Sequence, residues 1–121
     1  MKISDYQTRH LARLERLGQS NPVCVVCGED DPRCLELHHI TYGRVRDEVA
    51  IVCRNCHRKL SDMQKDQPPL TGDPVVDEVL YAIGRFLLGL AELFALLVET
   101  LREFGEDLIA RGRRPVAEDR P

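Results

Sequence analysis

Two Cys-x-x-Cys pairs, Cys24/Cys27 and Cys53/Cys56, are separated by 25 residues. Two histidines, His38 and His39, lie between the pairs, and a third, His57, follows the last cysteine directly. A Cys-x-x-Cys turn aims two thiolates at a common point, so each pair can grip one side of a tetrahedral ion. Gly28 follows Cys27, where such a knuckle needs a tight turn. The pattern predicts a structural Zn²⁺ held by Cys24, Cys27, Cys53 and Cys56. A closed four-thiolate site keeps no open coordination position, so this ion would hold the fold and do no chemistry. Cys34 is left over and is expected to be an ordinary packing or loop residue.

The histidines are then free for another task. His38 and His39 follow a strand pattern, and successive strand side chains point to opposite faces. The two should therefore play different roles, one towards a metal and its neighbour towards a substrate. His57 begins a helix just after Cys56, so the second knuckle fixes its position. A second metal site built against the first is the expectation.

The elements that must position these groups can be read around them. Residues 35–37 and 49–52 look like short strands, and residues 54–65 look helical, with a knuckle at each end of that unit. Upstream, residues 3–17 read as a helix: Ser4 and Gln7 fit a capping box, and Leu11, Leu14 and Leu17 recur on one side. Lys2, Arg9, Arg13 and Arg16 make the other side basic, either a solvated face or a phosphate-contacting one. Gln67-Pro68-Pro69-Leu70-Thr71-Gly72 reads as a linker, with Asp73 as N-cap and Pro74 at the first position of a long helix that Gly112 and Pro115 close. The predicted organisation is a basic helix (1–21), a zinc-stapled module (22–66), a linker (67–74), a long amphipathic helix (75–112) and a frayed tail (113–121).

Composition narrows the setting. A chain of 121 residues with three Phe, three Tyr and no Trp builds only a small core, which usually needs a staple. The first residues, MKISDYQTRH, hold no apolar run, which predicts a cytoplasmic protein. There, paired Cys-x-x-Cys spacings favour metal over disulfides. The net charge is -3; residues 1–66 carry 11 Lys/Arg against 10 Asp/Glu, and residues 67–121 carry 6 against 10. The acidic excess sits in the C-terminal half, so any DNA-facing basic patch must be local.

The order Cys-x-x-Cys-Gly, then Leu-Glu-Leu-His-His-Ile, then Val-Cys-Arg-Asn-Cys-His-Arg, resembles the HNH nuclease family. The likeness covers residues 22–65, about a third of the chain. It implies a ββα-metal module stapled by four cysteines; with the N-terminal helix and the long C-terminal association helix read from the residues themselves, the expected fold is α+β. It implies that His39 is the general base that activates water for attack on a phosphodiester, suited by an imidazole pKa near neutrality. It implies that His38 and His57 bind a catalytic divalent metal, which is Mg²⁺, Mn²⁺, Ni²⁺ or Zn²⁺ in the family. Glu48 stands where the family has the asparagine that orients the general base. Ser61 stands where many relatives have a further histidine ligand, and Asp62 beside it is the substitute candidate. Arg44, Arg46, Arg54, Arg58 and Lys59 surround the site and would contact phosphate without reading bases. The implied activity is that of a metal-dependent DNA endonuclease or nickase. The alternative is a catalytically silent zinc module that binds nucleic acid or protein and assembles through its C-terminal helix.

That helix carries apolar residues in steps of three and four, with Leu80, Leu87, Phe94, Leu101 and Leu108 recurring every seven. The stripe is wider than a two-stranded seam, and the small module cannot bury it alone. Three fates are open: a homo-oligomer through residues 75–110, folding back on the module, or a membrane segment over residues 79–98. Arg85 and Glu92 interrupt the last of these.

Overall fold

A computed structural model describes residues 4–43, 46–68 and 78–113. Arg44, the expected cap Asp73, Pro74 and residues 114–121 lie outside the described residues, as does the linker beyond Pro68.

Helix α1 (Asp5–Leu17) starts where the sequence dictates. The Ser4 hydroxyl accepts from the Gln7 N–H at 3.1 Å, and the Gln7 side-chain oxygen accepts from the Ser4 N–H at 2.9 Å. Both bonds satisfy N–H groups that a helix start leaves without partners. Gly18, at φ +73°, ends the helix by donating to the carbonyls of Leu14 and Glu15. Of the expected leucine stripe, Leu17 is buried, while Leu11 remains exposed.

The module that follows is a two-stranded antiparallel sheet of β1 (Leu35–His39) and β2 (Val49–Cys53), with helix α2 (Arg54–Gln64) leaving the end of β2. Leu35 pairs with Cys53 and His39 with Val49. Strand β1 thus runs two residues further than expected and carries both histidines into the ladder. The first knuckle joins the sheet through the Val25 N–H, which donates to the Ile51 carbonyl at 3.0 Å. Leu17, Val26, Leu35, Ile51, Val52, Leu60 and the buried cysteines form one core.

Helix α3 (Glu78–Gly112) lays one face on this module. Leu96 enters the core, and Leu93 packs at its edge. Gly89 meets the chain just past β1, where a Cβ would sit 1.7 Å from the Ile40 carbonyl oxygen, so only glycine allows this approach. Arg85 is buried beside it. Its guanidinium donates to the Gln67 side-chain oxygen at 2.7 Å, the Pro68 carbonyl at 2.5 Å and the Tyr81 hydroxyl at 3.2 Å. The Gln67 amide in turn donates to the Glu92 carboxylate at 3.0 Å. Arg85 and Glu92 therefore share a face, as their seven-residue spacing predicts, and that face meets the module. The linker residues Gln67 and Pro68 anchor the helix as well as leading to it.

Candidate metal centre and histidine pocket

The two knuckles converge. The sulfurs of Cys24, Cys27, Cys53 and Cys56 all lie within 4.8 Å of one another, with those of Cys27 and Cys53 at 3.6 Å. A tetrahedral zinc with bonds of about 2.3 Å places its sulfurs about 3.8 Å apart, so the four thiols fit such an ion. Local backbone builds each half. Gly28, at φ +81°, lets the first knuckle turn back, and its N–H donates to the Cys24 carbonyl at 2.9 Å. In the second, Cys53 caps α2, its sulfur accepting from the Cys56 N–H at 3.4 Å. Burial raises the Cys24 thiol, but the backbone N–H groups of Cys27, Cys53 and Val26 outweigh it and bring the pKa down to about 7. Burial pushes Cys27 and Cys56 up. The Cys24 proton is thus the easiest of the four to lose, and a bound cation would draw off the others as well. Cys34 stands apart on the short 3-10 turn Pro32–Cys34, half-buried and outside this cluster.

Strand alternation and the start of α2 bring His38 and His57 together. Glu36 and His38 lie two apart on β1 and share a face, and that face looks onto His57. His57 Nδ1 is 2.7 Å from Glu36 Oε2, and the His38 and His57 rings meet edge to face with centroids 5.4 Å apart. In the neutral His57 ring, Nδ1–H donates to the carboxylate, which leaves Nε2 with the lone pair. His38 is 1% exposed, and its Nε2 is buried without a hydrogen-bond partner. Burial, reinforced by the neighbouring His57 and His39, pushes its pKa down to about 4, so the ring is neutral at physiological pH. An orphaned basic nitrogen in such a place is costly unless something binds it.

His38, His39 and His57 all line one pocket of 520 Å³, together with Thr41, Tyr42, Gly43 and Gln64. Gln64 fixes the floor by donating from its side-chain amide to the His39 carbonyl at 3.0 Å. Thr41 is fully buried, and its hydroxyl, like His38 Nε2, has no partner. Two imidazoles with free lone pairs can hold a divalent cation whose remaining positions are open to water or substrate. Among the described residues, the four cysteines form the one cluster of three or more metal-ligating side chains.

The other expected site residues fall differently. Glu48 comes beside the site through its backbone, whose carbonyl accepts from the Ile40 N–H at 3.1 Å. Its carboxylate goes to Arg46, whose Nε donates to Oε1 at 2.8 Å and holds the pKa below the usual range. The second oxygen, Oε2, is buried without a hydrogen bond, so Glu48 does not bind His39. Asp62 is exposed and does not line the pocket. Five residues on from His57, it points about 140° away around the helix, whereas Gln64, seven on, returns to the same side. Arg46 is spent on Glu48 and on the face of Phe86, 4.9 Å from the ring centroid. Arg54 is exposed and 3.3 Å from Glu36 Oε1, while Arg58 and Lys59 are exposed on α2. Glu36, Thr41, Tyr42 and Gln64 join the site without having been foreseen. The two-residue spacing of Glu36 and His38 and the seven-residue spacing of His57 and Gln64 were the available signals.

No family model, curated protein or solved structure matches this chain.

Proposed function

We propose that the chain is a metal-dependent DNA endonuclease or nickase of HNH type, whose four-cysteine site holds a structural zinc and whose histidine pocket hydrolyses phosphodiesters. The observation that carries this reading is the pairing of His38, buried with Nε2 unpartnered, with a His57 ring oriented by Glu36, next to His39 in one open pocket. His38 and His57 would ligate a divalent cation, which when bound stabilises the charge developing on the phosphate and leaving oxygen. His39 would accept the proton of the attacking water, its backbone held by Gln64. The Thr41 hydroxyl, which lines the pocket without a partner, would hydrogen-bond a water or phosphate oxygen entering it. Arg58 and Lys59 offer exposed charge for the backbone of DNA, a contact blind to sequence. Thiolate ligands need reducing surroundings, consistent with work in the cytoplasm.

A second reading has its own support. Ser61 supplies no third strong ligand, and Glu48 is committed to Arg46, so the same scaffold would serve as a silent zinc module that binds nucleic acid or protein. Plasmid cleavage by the metal-loaded protein, set against His39→Ala, separates the two.

A further inference from the structure

The outward face of α3 is built for a second helix. Leu87, Phe94, Leu101 and Leu108 recur every seven residues, and Ile83, Leu90, Leu97 and Phe104 recur every seven between them. Together they occupy both seam positions of a heptad pattern without a break from Ile83 to Leu108. Every charged residue in that interval falls outside the seam. Arg85, Glu92, Glu99 and Glu106 repeat on the opposite side of the helix, and the first two of these face the module. The seam therefore points away from the zinc module, and Leu93 and Leu96, which widen the apolar stripe beyond a two-stranded seam, pack on the module instead. Of the eight seam residues, Ile83, Leu87, Phe94, Leu101, Phe104 and Leu108 are 40% to 60% exposed although each is large and apolar, and Leu90 and Leu97 are half-buried.

We propose that this seam pairs with the same seam of a second copy of the chain, giving a coiled-coil dimer with the two modules on its outer sides. Three observations select that occupant. A seven-residue repeat is the period a second helix imposes by supercoiling, and a lipid surface has no reason to demand it. From Ile83 to Leu108 the seam runs about 39 Å along the helix and carries eight large apolar side chains, a continuous strip that pairing with an equal strip would remove from water. Of the flanking positions, Gly84, Ala91 and Gly105 are small, so a partner backbone can approach closely there, while Val98 adds apolar surface beside the seam. By length and composition α3 could cross a membrane. Its most apolar part, however, is tied to the module through Arg85 and Gly89, and beyond Val98 come Glu99, Arg102, Glu103, Glu106 and Asp107. This inference rests on α3 and stands whether or not the pocket is catalytic.

Sedimentation equilibrium of the full zinc-loaded chain tests it. The expected mass is twice 13.8 kDa. Leu101→Glu, which places a charge in the seam, should weaken the dimer by a hundredfold or more, at about 1.4 kcal/mol per tenfold. Leu88→Glu, exposed but off the seam, should leave it intact. Unchanged zinc content in both variants shows that the module is folded. A monomeric parent chain, a higher oligomer, a dimer indifferent to Leu101→Glu, or partition into phosphatidylcholine/phosphatidylglycerol vesicles in place of dimerisation would overturn the proposal.

Discussion

His57 Nδ1 and Glu36 Oε2 stand 2.7 Å apart, a contact between the first turn of α2 and the second residue of β1. Its consequence is directional: it fixes the tautomer and rotation of His57, so that Nε2 is the nitrogen left for a ligand. The second knuckle joins α2 to β2, the ladder joins β2 to β1, and the contact between Glu36 and His57 closes that circuit around one imidazole.

Glu36→Ala should therefore weaken a second divalent ion, read by calorimetric titration with Ni²⁺ or Co²⁺ into the zinc-loaded protein, by about 10–100-fold. Zinc content at the cysteines should not change. Equal affinity in parent and variant would remove Glu36 from the site.

Zinc removal should be structural in its effect. Cys24, Cys53 and Cys56 belong to the core, and Cys53 also caps α2. A strong chelator under reducing conditions, or Cys53→Ser, should abolish the cooperative thermal transition of the module in circular dichroism, because metal binding and folding are coupled in domains this small. An intact transition without metal would contradict the staple.

Gly89→Ala sets a methyl group where the Ile40 carbonyl stands, with no flexible side chain able to give way. We expect a loss of about 2 kcal/mol or more, within the range of overpacking, and release of α3 from the module. Hydrogen exchange should show protection falling across residues 85–96 while β1 and β2 keep theirs. An unchanged exchange pattern would mean the close approach is not made.

Burial raises the pKa of the Glu92 carboxyl, with the Gln67 amide and Arg85 opposing in part. The folded chain then holds a proton that the unfolded chain has released, so this group's contribution to stability falls as pH rises above its unfolded value. Glu92→Gln keeps an acceptor for Gln67 and removes the titration. The variant should gain melting temperature over the parent at pH 7.5 and lose that advantage near pH 4.5. An advantage that grows as pH falls would reverse the assignment.

Much of the frame was legible because it is written in local signals. Ser4 with Gln7 marked the start of α1, the knuckle spacings marked the cysteine cluster, and Val49 to Val52 marked β2. The histidine grouping followed once His57 was tied to Cys56. What escaped depends on contacts far apart in the chain. Gln67 looks like linker in sequence, and only its meeting with Arg85 and Glu92 makes it an anchor. Gly89 looks like a weak spot in a helix until Ile40 is brought against it. Glu48 sits at the expected place, but Arg46, two residues away, competes for its carboxylate and wins by proximity. Asp62 was one helical position from a plausible ligand, and a single step of about 100° turns it to solvent.

The most direct measurement is conversion of supercoiled plasmid to open-circle or linear DNA by the zinc-loaded chain with Mg²⁺, Mn²⁺ or Ni²⁺, beside His39→Ala and His38→Ala. The parent should nick or cut with at least one of these ions. His39→Ala should lose about a hundredfold or more in rate while still binding the second cation, and His38→Ala should lose both. No cleavage with any ion, or equal cleavage by parent and His39→Ala, would contradict a hydrolytic role for the histidine pocket.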